Sequence, residues 1–192
     1  MLLLRMPLED EVRSFVRNQQ DLPLSYPARG MTRGLAPGGF NVDHNRVRLG
    51  EGADTFERAK QALCEWRMFD LGWVKLFWPD SPIEVGTVVA VVVHHLGFWS
   101  LNACRIVYVI DEDGPVRKYG FAYGTLPGHM ESGEELFSIE WRRDDDSVWY
   151  DILAFSKPRH LLARIGYPLS RMMQKRFAKD SLQTMLASTK AD

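Results

Sequence analysis

Between Gly72 and Ser156 the chain alternates apolar runs with short separators built from turn-forming residues. The runs GWVKLFW, GTVVAVVVHHLGFW, SLNACRIVYVID, VRKYGFAYGT, EELFSIEWRR and SVWYDILAFS are dense in Val, Ile, Phe, Tyr and Trp. Branched and aromatic side chains suit a pleated, half-buried surface, so each run predicts a strand. The separators PDSPIEVG, DEDGP, LPGHMESG and DDD carry Pro, Gly and Asp, and they predict antiparallel hairpins between neighbours.

The flanks have a different period. FNVDHNRVRLG, Phe40 to Gly50, predicts a first strand ended by glycine. ADTFERAKQALCEW then places Phe56, Ala59, Leu63 and Trp66 on one helical face, with Asp54 as its expected cap. PLEDEVRSFVRNQQ has early acids and then Val12, Phe15 and Val16 at helical spacing, which predicts a short N-terminal helix. The Pro- and Gly-rich DLPLSYPARGMTRGLAPGGF after it predicts a loop wrapped over the domain. Beyond Pro158, Leu161, Leu162 and Ile165, then a Gly166-Tyr167-Pro168 interruption, then Leu169, Met172, Met173, Phe177, Leu182, Met185 and Leu186 predict a long amphipathic helix kinked near Pro168.

The sum is an α+β fold: a curved antiparallel sheet of about seven strands wrapped on a long C-terminal helix. Residues 1–39 form a helix-and-loop extension packed on the domain, 40–188 the domain itself, and 189–192 a tail. A length of 192 residues suits one such unit. Lys+Arg number 24 against Asp+Glu 25, a balance that argues against nucleic acid as a partner. Three leucines before Arg5 are too short for a leader peptide and no run approaches a membrane span, so a cytoplasmic protein is expected. Cys64 and Cys104 lack the spacing of a disulfide framework or thiolate zinc cage and read as small buried hydrophobes.

The element order resembles the helix-grip fold of the START-like superfamily. At residue level the chain is similar to a family of bacterial and plant proteins, domain-of-unknown-function family nineteen-ninety. The stretches that carry this likeness are LPLSYPARGMTRG, NRVRLGEG, WRMFDLGWV, CRIVYVID, FAYGTLPGHMESGEELF and VWYDILAFSKPRHLLARIGYPLSRMMQKRF. The superfamily resemblance implies an apolar ligand held between sheet and helix. The close family offers no activity to carry over, so no catalytic residue is assigned from it.

FAYGTLPGHMESGEELF also holds the densest polar chemistry. His129 with Glu131 has the His-x-Glu spacing of zinc deaminases, but no Pro-Cys-x-x-Cys follows and no His-Glu-x-x-His is present, so neither a metal nor another cofactor is expected. Turn residues place His129, Met130, Glu131 and Glu134 at a solvent-facing hairpin tip. Alternation puts Tyr119, Phe121, Tyr123 and Thr125 on one face, and Glu135 with Phe137, Ile139 and Trp141 on one face. Glu135 then either joins a buried polar network with His129, Arg105 or a tyrosine, or meets a ligand.

Asp151 shares a face with Trp149, Leu153 and Phe155, and an Arg105–Asp151 pair would satisfy both. Arg105 lies with Val107 and Val109, opposite Cys104, Ile106 and Tyr108. Tyr108, Tyr123 and Tyr150 could orient a polar ligand end or simply pack. The pocket candidates are therefore Arg105, Tyr108, Phe121, Tyr123, His129, Glu135, Phe137, Trp141, Tyr150 and Asp151. His94 and His95 are strand neighbours that face opposite ways and do not chelate one ion easily.

Three functions stay open. One is a binding module for an apolar or amphipathic small molecule. Another is a cyclase, hydrolase or isomerase using Glu135, His129 or Asp151 as acid or base. The third is a weak membrane or partner contact through Leu96, Phe98 and Trp99 and the basic helix residues Arg159, Arg164, Arg171, Lys175, Arg176 and Lys179.

Overall fold

A computed structural model describes residues 1–27, 29–34, 38–158 and 167–190. In chain order the elements are β1 (Leu2–Leu3), α1 (Glu9–Gln19), a 3-10 turn (Met31–Arg33), β2 (Asn41–Glu51), α2 (Gly52–Cys64) and a second 3-10 turn (Arg67–Phe69). Then follow β3 (Val74–Phe77), β4 (Val88–His95), β5 (Phe98–Glu112), β6 (Val116–Thr125), β7 (Glu131–Arg142), β8 (Ser147–Pro158) and α3 (Tyr167–Ser188). Strands β3 to β8 form an antiparallel meander and β2 returns beside β8, in the order β2-β8-β7-β6-β5-β4-β3. β1 adds a short pairing on β5, with Leu2 opposite Ser100. The seven-strand sheet curls into a half-barrel around α3, which is the helix-grip arrangement.

Local chemistry accounts for most boundaries and for three departures from expectation. The run GTVVAVVVHHLGFW is two strands, because Leu96 and Gly97 take φ of 48° and 79° and close a two-residue hairpin. A leucine in place of the usual Asn or Asp concealed that turn. Helix α2 begins at Gly52, whose φ of 82° bends the chain, so Asp54 lies inside the first turn rather than capping it. Pro168 sits in the first turn of α3, where a missing N–H costs nothing. The expected helical stretch upstream, with Arg159, Leu161, Leu162, Arg164, Ile165 and Gly166, lies outside the described residues, as do residues 191–192.

Both faces of the sheet are covered. On the concave side Phe56, Ala59 and Leu63 of α2, with Trp66, Met68 and Phe69 beyond it, pack on Ile106, Phe121, Phe137, Ile139 and Tyr150, and Met185 of α3 closes the cluster. On the convex side α1 sets Val12, Phe15 and Val16 against Phe77, Ala90, Val92 and Leu101. Farther along, Leu24 covers Tyr108, Ile110, Ala122 and Leu136. The basic side of α3 is partly engaged: Arg171 pairs with Asp43, and Arg176 lies 3.5 Å from Asp180 and over the Trp73 ring. Among the described residues no helix is long and apolar enough to cross a membrane.

The N-terminal segment is held by one buried carboxylate. Strand β6 presents Gly120, Ala122 and Gly124 outward, and a Cβ on Gly124 would stand 2.2 Å from the Tyr26 hydroxyl oxygen, so Tyr26 can cross there only over glycine. Beside it on β7, Glu134 is 2% exposed and accepts four hydrogen bonds. Tyr26 Oη donates at 2.6 Å and Gly30 N–H at 2.9 Å to Oε2; Thr32 N–H at 2.9 Å and Thr32 Oγ1 at 2.5 Å donate to Oε1. Four donors replace the water that a buried carboxylate loses.

The expected solvent-facing tip is corrected by the same geometry. Strand β7 already starts at Glu131, and the connection Leu126–Met130 is clasped by the N-terminal elements. Gly128 N–H donates to Gln19 Oε1 at 2.6 Å, the amino terminus reaches Gly128 O at 3.3 Å, and Met130 N–H reaches Asn102 Oδ1. Glu134→Ala strands four donors and should cost about 3 kcal/mol or more in urea denaturation, against about 2 kcal/mol for Tyr26→Phe. The Gly30 and Thr32 amides should lose hydrogen-exchange protection; unchanged protection in Glu134→Ala would refute the anchoring role.

Candidate functional site

A cavity of about 460 Å³ remains between the concave face and α3. Its walls are Val91 and Val93 of β4, Ile152 and Ala154 of β8, Phe69, Trp73 and Val74, and Met173, Phe177 and Ala178 of α3. The space survives because side chains are unevenly sized along the strands. Phe121, Phe137 and Phe69 fill one half, with Phe121–Phe137 and Phe69–Phe137 centroids each 5.6 Å apart, whereas Gly133, Ala154 and Ser156 contribute little volume to the other.

Helix α3 is fastened over this opening by polar contacts. Arg171 grips Asp43 of β2 with Nη1 and Nη2 at 2.5 and 2.7 Å. Gln174 Nε2 donates to Ser156 Oγ at 3.0 Å, and Ser170 Oγ donates to Glu131 Oε1. Farther along, Trp73 Nε1 donates to Asp180 at 2.9 Å and Tyr150 Oη meets Ser181 Oγ at 3.1 Å.

The polar lining includes the acids Asp43, Glu131 and Glu135 beside neutral Asn102, Tyr123 and Gln174 and the base Lys175. Tyr123 Oη donates to Glu135 Oε2 at 2.8 Å. Burial dominates over that bond and, with the charge of Asp43, pushes the Glu135 carboxyl up to about 7. Burial also raises the Glu131 carboxyl, against the Ser170 bond and the Arg171 charge, and Glu131 Oε2 is buried without a hydrogen-bond partner. His129 Nδ1 accepts from Glu131 N–H at 2.9 Å. Burial pushes the Cys104 thiol and the Tyr123 and Tyr150 hydroxyls up, so these remain neutral donors.

Of the ten pocket candidates, Tyr123, His129 and Glu135 line the cavity. Phe121, Phe137 and Tyr150 are buried in the core behind its wall. Trp141 packs on Phe56 six residues farther along β7, about 20 Å from Glu135 at strand rise. Arg105, Tyr108 and Asp151 lie on the convex face. Arg105 donates to the Gln19 and Gln20 carbonyls, so the Arg105–Asp151 pair does not form. Asp151 instead meets His44 at 2.8 Å and Arg46 at 3.3 Å. Tyr108 is turned outward by a β-bulge between Ile106 and Tyr108, which inserts a residue and reverses the alternation; its hydroxyl meets Thr32 Oγ1 at 2.5 Å.

Residues that alternation did not single out complete the lining: Asp43, Phe69, Trp73, Asn102, Glu131, Ala154 and Gln174. Met173 and Phe177 were legible as apolar helix positions. Phe69 ends the 3-10 turn and Trp73, expected within the strand run GWVKLFW, stands just before β3. Among the described residues no three His, Cys, Asp or Glu side chains converge as a metal cage. The arrangement can enclose an apolar body, offer it acidic hydrogen-bonding groups, and exchange a proton at Glu135.

An antiparallel half-barrel closed by one long helix over an internal cavity defines a helix-grip protein. Residues 25–184 match the family described as "Domain of unknown function (DUF1990)", and the chain belongs to that family. It is 36% identical to a UPF0548 protein of Dictyostelium discoideum, over 97% of this chain and 94% of that one. It is also 36% identical to a UPF0548 protein of Deinococcus radiodurans, over 93% and 94%. Among solved structures, hypothetical protein jhp0584 from Helicobacter pylori superposes with a TM-score of 0.50 at 11% identity, covering 88% of this chain and 96% of that one, a likeness of fold alone.

The raised Glu135 carboxyl makes stability depend on pH. Its folded value of about 7 stands above the ordinary 4.5, so the fold favours the neutral acid. That contribution is complete below about pH 4.5 and is lost as pH rises through 7, a loss of about 3 kcal/mol. Glu135→Gln should therefore be more stable than the parent at about pH 8 and equal to it near pH 4.5. Parallel denaturant midpoints across that window would contradict the assignment.

Proposed function

We propose that the protein binds an apolar or amphipathic small molecule in the cavity between the concave face and α3. The observation that carries this reading is the cavity itself, lined by Phe69, Trp73, Val91, Ile152, Met173 and Phe177 and left open by Gly133 and Ala154. Its volume lies within the range of small-molecule sites, and its composition, apolar walls with few polar groups, is theirs as well. Asp43, Ser156 and Glu131 tie α3 beside the space.

A second reading is supported by Glu135. A carboxyl that titrates near neutrality beside the Tyr123 hydroxyl on a cavity wall has the properties of a general acid or base. Asp151 has no part in it, being on the other face.

Native mass spectrometry of freshly purified protein should show an adduct whose ligand is recovered by solvent extraction. Ala154→Leu should retain a native melting profile but hold the ligand about tenfold or more weakly, because the added volume occupies the cavity. An adduct undiminished in Ala154→Leu would remove the cavity as the site. Re-incubating the extracted ligand separates the two readings: a mass change with the parent protein but not with Glu135→Gln supports catalysis, and recovery unchanged with both supports binding alone.

A further inference from the structure

Among the described residues the acids of the cavity outnumber its cations. Asp43 is neutralised by Arg171, and Glu134 is turned to the convex side and satisfied by four donors. Neither Glu131 nor Glu135 forms an ion pair among the described residues, although the Arg171 charge reaches Glu131 and Lys175 lines the cavity. Among the described residues Glu131 Oε2 is buried without a hydrogen bond, and Glu135 takes one, from Tyr123 to Oε2, with no donor to Oε1. Both side chains belong to one face of β7, so their negative potential adds along the same wall.

We propose that the ligand of this cavity carries a protonated amine, seated against Glu135, with its apolar body along Phe69, Trp73 and Phe177. This rests on the reading of the cavity as a ligand site and narrows it to a chemical class. An ammonium group brings donors and a positive charge to the vacant Oε1, and a charge-assisted bond in a cavity of low polarity is stronger than a neutral one. A carboxylate ligand would instead add a like charge beside two half-buried acids. A neutral alcohol can donate one bond but leaves the charge uncompensated.

Occupancy is then coupled to the protonation of Glu135. The groups that face it are the Tyr123 hydroxyl on β6, the Cys104 thiol on β5, the Tyr150 hydroxyl on β8 and Asp43 on β2. Along the cavity β7 adds Glu131, the connection before it adds His129, and α3 brings Lys175 and the Asp43-bound Arg171. Burial is the main reason the Glu135 carboxyl is raised to about 7, and an ammonium beside it should draw that value down as it binds.

Decylamine, 1-decanol and decanoate share one tail and differ at the head. Their affinities for the full chain should be measured by calorimetry below the micelle threshold, at about pH 8 and about pH 5.5, where the amine stays charged throughout. Decylamine should bind about tenfold or more tightly than 1-decanol at the higher pH, and decanoate should bind least. The amine's advantage should shrink at the lower pH and in Glu135→Gln, while Glu131→Gln should reduce it less. Ala154→Leu should weaken all three probes. Equal binding of amine and alcohol, or an amine preference untouched by Glu135→Gln, would overturn the amine assignment and leave the apolar site standing. Failure of all three probes to bind would overturn both.

Discussion

The irregular segment over the convex face is organised around the buried carboxylate of Glu134. An antiparallel sheet can leave one face to water, but here that face is built from Tyr108, Ile110, Ala122 and Leu136 and has to be covered. The segment that covers it is rich in Pro and Gly and has almost no regular hydrogen bonding of its own. Glu134 supplies the missing acceptors, binding two backbone N–H groups and two hydroxyls of residues 26–32. The glycine at position 124 makes room for that approach. Polar satisfaction, more than apolar area, determines where this loop lies.

Its chain neighbour has the opposite circumstances for a simple geometric reason. Consecutive strand residues face opposite ways, so Glu135 enters the half-barrel where no backbone donors are available. Glu134 meets four donors; Glu135 meets one hydroxyl and a cavity. The same pair of letters thus yields a structural anchor on one face and a perturbed acid on the other. A third acidic environment, on the convex face, is compensated by neighbouring charge: Asp151, whose Oδ2 takes no hydrogen bond among the described residues, is flanked by His44 and Arg46, and Glu140 by Arg46 and Lys118. That network needs no ligand to balance it.

The cavity follows from an unequal distribution of volume. Helix α2 and the turn after it bring Phe56, Trp66 and Phe69 to one end of the half-barrel, where they interlock with Phe121 and Phe137. At the other end the strands offer glycine, alanine and serine, and α3 spans the gap on polar fastenings to Asp43, Ser156 and Glu131. Well-packed rigid walls next to a fastened helix allow an interior space to persist without collapse of the core.

The hydrophobic pattern by itself determined the strands, the amphipathic helices, their antiparallel order and hence the fold class, because period and turn chemistry are local properties of the backbone. It also identified Phe56, Ala59 and Leu63, and the Met173–Phe177 face, as inward. It did not reveal the Leu96–Gly97 hairpin, written with an unusual turn residue, or the bulge that turned Tyr108 outward, since one inserted residue reverses every later position on that strand. Nor could it separate Arg105 and Asp151 from Tyr123 and Glu135, because alternation says which residues share a face and not which face is concave. Only the tertiary structure decided that, through the curl of the sheet and the elements packed on each side. The role of Glu134 depends on donors brought from about a hundred residues away, a distance over which no local pattern carries information.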